Sequence, residues 1–441
     1  MTWAFETDPS FQAELDWMVA FVDSEVIPVD QLIEHPCDLT DPIRKALIPP
    51  LQNVVKERGL WACHLTPELG GRGYGQLKLA LMNELLGRTK CGPVIFGIQA
   101  PDTGNTEILA HYGTDDLKTR YLEPVIDGSM MSSFSMTEPR GGTDPTQFTC
   151  RAELDGAEWV INGEKWFASN ARFASFLIVM VVTEPDNPRH SRLSALVVPT
   201  DTPGMNVVRH VASYGEAPDR GTHAYLRFDD ARVPADHLLG ERGGGFAVAQ
   251  TRLGGGRIHH AMRTVGRISW AFEAMCERAL SRLTTNGEPL SRQQLVQAMI
   301  ADSWVEIQQF RLLVLQTAWK IDRYNDYQRV RADISAVKAL MPKVQHDVVS
   351  RAMQIHGSLG ASVEMPFGDL LIDSVLLGLA DGATEIHKVT LARQLLAQRA
   401  PTSELFPSYH RPRLLREASE KYADVLEALG VVDALEMDGH A

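Results

Sequence analysis

The chain has 441 residues, 44% of them apolar, enough to bury a large core in two or three domains and too many to leave it disordered. Its 43 Lys and Arg against 56 Asp and Glu give a net charge of -13, which disfavours nucleic acid and anionic membrane surfaces, so an anionic ligand needs a local basic patch. Five cysteines, Cys37, Cys63, Cys91, Cys150 and Cys276, form no CxxC pair, which argues against a zinc ribbon and fits reduced thiols in a cytoplasmic protein.

The first eleven residues include Glu6 and Asp8 and lack an apolar h-region, so no secretory signal is expected. No apolar run reaches the roughly 18 residues that span a bilayer. From residue 11 to about 128 the texture is helical, with Leu15, Met18, Val19 and Val22 at three- and four-residue spacing and Leu77, Leu81 and Leu85 at four. Pro49-Pro50 and Gly70-Gly71-Arg72-Gly73 read as breaks between these helices. Residues 1–129 are therefore expected to form a helical domain.

Near Met130 the period falls to two, opening a β domain over 130–240. Asp155-Gly156 and Asn162-Gly163 each signal a hairpin, and Phe176 to Val182, Ala195 to Val198 and Ala224 to Phe228 read as buried strands. Helical spacing returns over 241–400 in three stripes, the first running from Ile258 to Ala279. The second is Ile300, Trp304, Ile307, Val314, Ala318 and Ile321, and the third Ile334, Val337, Met341, Val344 and Val348. Pro342 should kink or interrupt the third, because proline removes a helix hydrogen bond. Residues 401–441 keep a helical texture around Leu414 to Leu429 and receive no role.

Five segments carry unusual polar chemistry. In Phe134-Ser135-Met136-Thr137-Glu138-Pro139-Arg140-Gly141-Gly142-Thr143-Asp144, glycines permit close backbone approach beside hydroxyls, which suits a phosphate or a flavin edge and equally suits a turn entering a strand. Trp166-Phe167-Ala168-Ser169 offers aromatics to flank a planar cofactor or to alternate between core and surface. Gly254-Gly255-Gly256-Arg257 reads as a helix start able to receive an anion, and His259 and His260, on different helical faces, read as surface or packing residues. Gln354-Ile355-His356-Gly357-Ser358 and Ala380-Asp381-Gly382-Ala383-Thr384-Glu385 complete the set, with Asp381 free to cap the following helix.

In order and spacing, over about residues 11–396, these segments resemble the acyl-CoA dehydrogenase family. The resemblance implies a mainly α fold with a central β domain: N-terminal helical domain, middle β-barrel, C-terminal four-helix bundle. It implies FAD as cofactor, with Phe134, Met136, Thr137, Gly142, Thr143, Phe167 and Ser169 about the flavin, and Ala383, Thr384 and Glu385 also contacting it. Thr143, Gly254, Gly255, Gly256, Arg257 and Gly382 are implied to touch the acyl-CoA. Gln354, Ile355, Gly357 and Ser358 are implied to bind the FAD of a neighbouring subunit in a homodimer or homotetramer. Arg282 and Gln294 resemble further FAD contacts, although Arg282-Leu283-Thr284-Thr285-Asn286-Gly287 lacks the family's phenylalanine.

Where most members carry a glutamate base, this sequence has Asp381. That feature, with Ala100-Pro101-Asp102-Thr103-Gly104-Asn105 and Arg257-Ile258-His259-His260, is similar to the branch whose longer animal members add a phosphotransferase-like domain. The implied reaction removes an α proton to Asp381 and a β hydride to flavin N5, with electron-transfer flavoprotein as the acceptor and no metal. A carboxylate of pKa near 4 needs its basicity raised, and Leu376, Leu377 and Leu379 are expected to help by excluding water. A flavin oxidase or monooxygenase relative, and a non-redox acyl-CoA-binding protein, are the competing readings.

Overall fold

Asp8 and Asp41 start the first two long helices by accepting backbone N–H groups at 2.7–3.1 Å, each with a proline in the next position. In the computed structural model, which describes residues 6–142, 144–213, 216–402 and 405–430, these are α1 (Pro9–Phe21) and α2 (Pro42–Glu57). Pro49-Pro50 does not separate helices, since α2 runs through both prolines. Its buried face of Ile48, Gln52 and Val55, with Gln52 donating to the Val94 carbonyl at 3.1 Å, outweighs the loss of two ladder bonds. Next come α3 (Gln76–Leu86) and α4 (Asp102–Tyr112). Asp102 accepts from the Ser132 amide at 2.8 Å and from the Ser132 hydroxyl, which ties α4 to the first strand.

Eight strands follow: β1 (Ser132–Ser135), β2 (Arg151–Asp155), β3 (Glu158–Ala168), β4 (Phe176–Val182), β5 (Leu193–Pro199), β6 (Met205–Val211), β7 (His223–Pro234) and β8 (Leu238–Leu239). They pair in the order β6-β7-β3-β2-β4-β5-β8, with β1 parallel to β4. The unbroken apolar run of β4 is buried on both faces. Phe176, Ile178 and Met180 pack with helical residues such as Ile108, while Leu177, Val179 and Val181 meet Trp159, Leu226 and Phe228 inside the curled sheet.

Asp155-Gly156 forms the expected β2–β3 hairpin, with Asp155 opposite Glu158. Asn162-Gly163 does not turn the chain. It is a bulge within β3, where the Asn162 amide exchanges hydrogen bonds with Asp230 at 2.9 and 3.0 Å. Gly163, at φ +137, is required there because a Cβ would fall 2.6 Å from the Cys150 Cα.

The chain then returns to helix: α5 (Gly245–Ser281), α6 (Gln294–Tyr324), α7 (Arg331–His356), α8 (Phe367–Leu379) and α9 (Thr384–Ala397). The expected stripes bring Ile258 and Val265, Ile307 and Val314, Val337 and Met341, and Leu377 of α8 into one core. Pro342 does not interrupt α7, and Trp304 of the second stripe is 54% exposed rather than buried. Contacts divide the chain after Leu391. In the second unit, α10 (Arg411–Lys421) and α11 (Ala423–Ala428) bury no residue. Among the described residues no helix is long and apolar enough to cross a membrane.

Candidate active site

The chain leaves α8 at Leu379 and enters α9 at Thr384 through two successive left-handed residues, Asp381 at φ +54 and Gly382 at φ +99. The end of α8 is held from the bundle by Lys338, whose buried Nζ donates to the Leu377 and Ala380 carbonyls at 2.8 and 3.0 Å. Thr384 donates from its hydroxyl to the Gly378 carbonyl at 3.2 Å. Arg257 Nε donates to the Asp381 carbonyl at 3.2 Å, and His387 Nε2 lies 3.2 Å from the same oxygen. A Cβ at Gly382 would stand 2.9 Å from that imidazole. With its backbone fixed this way, Asp381 presents Oδ2 to His260 Nε2 at 3.7 Å, and its side chain is 23% exposed.

Burial acts to raise the Asp381 pKa, but His260, Lys338, Arg252 and Arg257 outweigh it and hold the carboxylate below its ordinary value. His260 cannot supply that charge at neutral pH, because burial pushes its own pKa down to about 4 despite Asp381. The lasting cations are Arg252, Arg257 and Lys338. The leucines do not wall the carboxylate as expected, since Leu377 turns into the bundle core and Leu379 is 63% exposed, and the rise that burial causes is offset by the charged neighbours.

Arg252, which sequence reasoning missed, links this carboxylate to the first strand. Its guanidinium lies 4.1 Å from the Phe134 ring centroid, and its Nε donates to Asn105 Oδ1 at 2.9 Å. Asn105 in turn donates to the Ser132 hydroxyl at 2.8 Å. Phe134 pairs as a bridge with Ser169, and Ser133 Oγ donates to the Ser169 carbonyl at 2.7 Å. The Thr137 carbonyl accepts from the Trp166 amide at 2.8 Å, while the Phe167 ring, at φ +57, stacks on His223 at 4.1 Å. Phe134, Met136, Thr137, Phe167 and Ser169 are thus brought together. The fully buried pair Lys165–Glu138, at 2.9 Å, pins their loop to β3. Gly142 sits exposed at φ +51, and Thr143 lies outside the described residues.

A second cluster forms where α5 and α7 end. Arg282 donates to the Ile355 carbonyl at 3.3 Å, and its Nη1 would lie 3.1 Å from a Cβ at Gly357. With Thr284, Thr285, Gln354 and Ile355 it lines a cavity of about 430 Å³. A guanidinium, two hydroxyls and an amide on one part of the wall fit the anionic, hydrogen-bonding end of FAD, while Leu283, Leu290, Val296 and Met299 make the rest apolar. The departure after Arg282 has a structural form: Leu283 bridges Pro289, and Gly287 at φ +78 closes a small hairpin loop. Ser358 is exposed after Gly357, whereas Gln294 is exposed at the start of α6 and is not among the residues lining the cavity. Ala383 is buried, Thr384 opens α9 and Glu385 is exposed.

Gly254 to Arg257 do not start a helix. α5 begins at Gly245, so these residues sit inside it and their amides are not free for an anion. The glycines serve approach instead: a Cβ at Gly254 would meet the Tyr327 ring at 2.8 Å and one at Gly255 the Gln76 amide at 2.9 Å, while nothing lies within 4 Å at Gly256. His260, with its side chain 32% exposed, packs toward Asp381. The helical spacing of Arg252, Gly256 and His260 was the signal available for both missed residues.

Family models for the acyl-CoA dehydrogenase N-terminal, middle and C-terminal domains match residues 12–129, 133–231 and 243–396. A Mycobacterium tuberculosis protein named probable acyl-CoA dehydrogenase FadE2 is 39% identical over 83% of this chain and 89% of its own length. Mouse acyl-CoA dehydrogenase family member 10 is 35% identical over 90% of this chain, which spans 38% of that longer protein. A solved Mycobacterium abscessus structure assigned as an acyl-CoA dehydrogenase superposes with a TM-score of 0.83 at 35% identity, covering 90% of this chain and all of that one. The chain belongs to the acyl-CoA dehydrogenase family and is an FAD-dependent oxidoreductase of that class.

Proposed function

We propose that the protein oxidises a saturated acyl-CoA thioester to the trans-2-enoyl-CoA, with Asp381 removing the α proton, in fatty acid or related acyl-CoA catabolism. The observation that carries this reading is the meeting of three elements: the Asp381 carboxylate, the cation Arg252, and the Phe134 ring on which Arg252 rests. FAD, when bound, supplies the acceptor for the β hydride. Phe134, Met136, Thr137, Phe167 and Ser169 would hold its ring end. The cluster of Arg282, Gln354, Ile355, Gly357 and Ser358 would serve the FAD of a neighbouring subunit in a homodimer or homotetramer. Electron-transfer flavoprotein is the proposed onward acceptor.

Cations beside a base lower its proton affinity, which at first opposes the reaction. They also favour the negative charge that gathers on the thioester oxygen as the α proton leaves, and a charge that grows in the transition state is where fixed positive groups act most. Arg257, anchored on the Asp381 carbonyl, and Gly256, open toward solvent space, would admit the substrate.

Anaerobic mixing of the yellow holoenzyme with straight-chain acyl-CoAs from butyryl- to palmitoyl-CoA tests the reading. Asp381→Asn is expected to slow flavin bleaching by about a hundredfold or more, the usual contribution of a positioned base, while Asp381→Glu keeps part of the activity. Equal bleaching rates in wild type and the Asn variant would remove Asp381 from the mechanism.

A further inference from the structure

On α5, Arg252, Gly256 and His260 follow one another at four-residue spacing and share a face. Arg252 and His260 both act electrostatically on Asp381, and between them nothing approaches within 4 Å of the place where a side chain at Gly256 would begin. The face toward the carboxylate is therefore a cation, a gap and an imidazole. Atoms of a substrate can stand in the gap without meeting the helix.

The imidazole is not a counter-ion. Burial keeps His260 neutral at physiological pH, so what it offers is a hydrogen bond from Nε2, the nitrogen nearest the carboxylate. At 3.7 Å the contact is longer than a hydrogen bond, as contacts in catalytic sites often are before the substrate complex tightens them. An aspartate has a shorter reach than a glutamate, so fixing one oxygen decides where the other points. Facing Asp381 are Arg252, Arg257 and His260 from α5, Lys338 from α7, and His387 of α9 at its carbonyl. Arg263 and Arg267 act on His260 from its own helix.

We propose that His260 is the positioning residue for Asp381, its Nε2–H holding Oδ2 so that Oδ1 faces the acyl α carbon in the gap over Gly256. The inference rests on Asp381 being the base, and it adds a residue that acts only through it.

The test is the pH profile of anaerobic flavin reduction by the same acyl-CoA series in holoenzyme variants. His260→Leu should slow reduction by about tenfold or more, the effect of losing a hydrogen bond to a charged group. Acyl-CoA affinity should stay unchanged. Because a neutral donor favours the ionised carboxylate, its loss should also move the acid limb to higher pH by about one unit. His260→Gln, whose amide nitrogen reaches as Nε2 does, should restore most of the rate. A Leu variant with wild-type rate and limb, or a Gln variant no faster than Leu, overturns the proposal. If the Leu variant loses flavin, His260→Gln against the shorter His260→Asn decides, and equal rates overturn it. Asp381→Asn run alongside separates the two readings: wild-type reduction there sinks the base itself, whereas an inert Asn variant beside a normal Leu variant sinks only the role of His260.

Discussion

Two groups of buried charge in this molecule are built in opposite ways. In the β domain, Glu138 accepts from the Thr149 amide and hydroxyl, the Cys150 amide and Lys165 Nζ, all within 3.0 Å, and Lys165 also donates to the Met136 carbonyl at 2.9 Å. Both Glu138 oxygens and two of the three Lys165 N–H groups are met by protein partners, and Nζ also lies 4.5 Å from the Phe148 ring centroid. At Asp381 one carboxylate faces three lasting cations, and these give their closest hydrogen bonds to other groups: Lys338 to the Leu377 and Ala380 carbonyls, Arg257 to the Asp381 carbonyl, Arg252 to Asn105. A closed set holds a loop in place, whereas an open one, with charge left over and a gap beside it, is what a ligand can complete.

Stability measurements should separate the two first and most widely. Lys165→Met strands Glu138 in the core and is expected to cost about 3–5 kcal/mol, with a large fall in Tm. Asp381→Asn should change stability by about 1 kcal/mol or less, because the carboxylate is partly solvated and asparagine tolerates left-handed backbone. If the Asp381 variant unfolds earlier than the Lys165 variant, the contrast between a structural and a functional charge group is lost.

Lys338 sharpens the comparison through pH. Burial lowers its pKa to about 8, with Asp381 opposing and Arg257 assisting, against 10.5 for a free lysine. Between these values the unfolded chain holds a proton that the folded chain has released, so stability rises with pH across this window. Below about pH 8 both states are protonated and the burial penalty is present in full. Relative to Lys338→Met, the wild type should gain about 3 kcal/mol from pH 8 to 10.5. Denaturant midpoints that run parallel for the two proteins over this range would show that Lys338 sits in an ordinary solvated position.

Much of the fold was legible because burial leaves a period. The stripes of α5 and α7 and the continuous run of β4 are read directly, since one repeats on a helical face and the other is covered on both sides. Local punctuation misled wherever tertiary contacts overrode it. Pro49-Pro50 lies inside a helix, Asn162-Gly163 pairs with Asp230 instead of turning, and the glycines before Arg257 sit ten residues into α5. The site was legible as motifs, while its electrostatics were not. Arg252, Arg257 and Lys338 come from two helices and meet at Asp381 only in three dimensions, and no local pattern announces that their charge will oppose the effect of burial there.

The finest test of the contrast lies within one helix. A Cβ at Gly266 would fall 2.0 Å from the Glu84 carbonyl oxygen, where α3 packs against α5, so Gly266→Ala forces backbone apart and should cost about 1–3 kcal/mol. Gly256→Ala meets no protein atom within 4 Å and should stabilise α5 by up to about 1 kcal/mol, the helix preference of alanine over glycine. The added methyl nevertheless stands in the gap between Arg252 and His260, so Tm should rise while acyl-CoA binds more weakly and reduces the flavin more slowly. The two glycines differ only in who occupies the space before them, another helix in one case and the proposed substrate in the other. Thermal melts paired with acyl-CoA titrations read both halves. A Gly256→Ala protein that is more stable and binds acyl-CoA as before would place the substrate elsewhere and leave the open charge at Asp381 without its ligand.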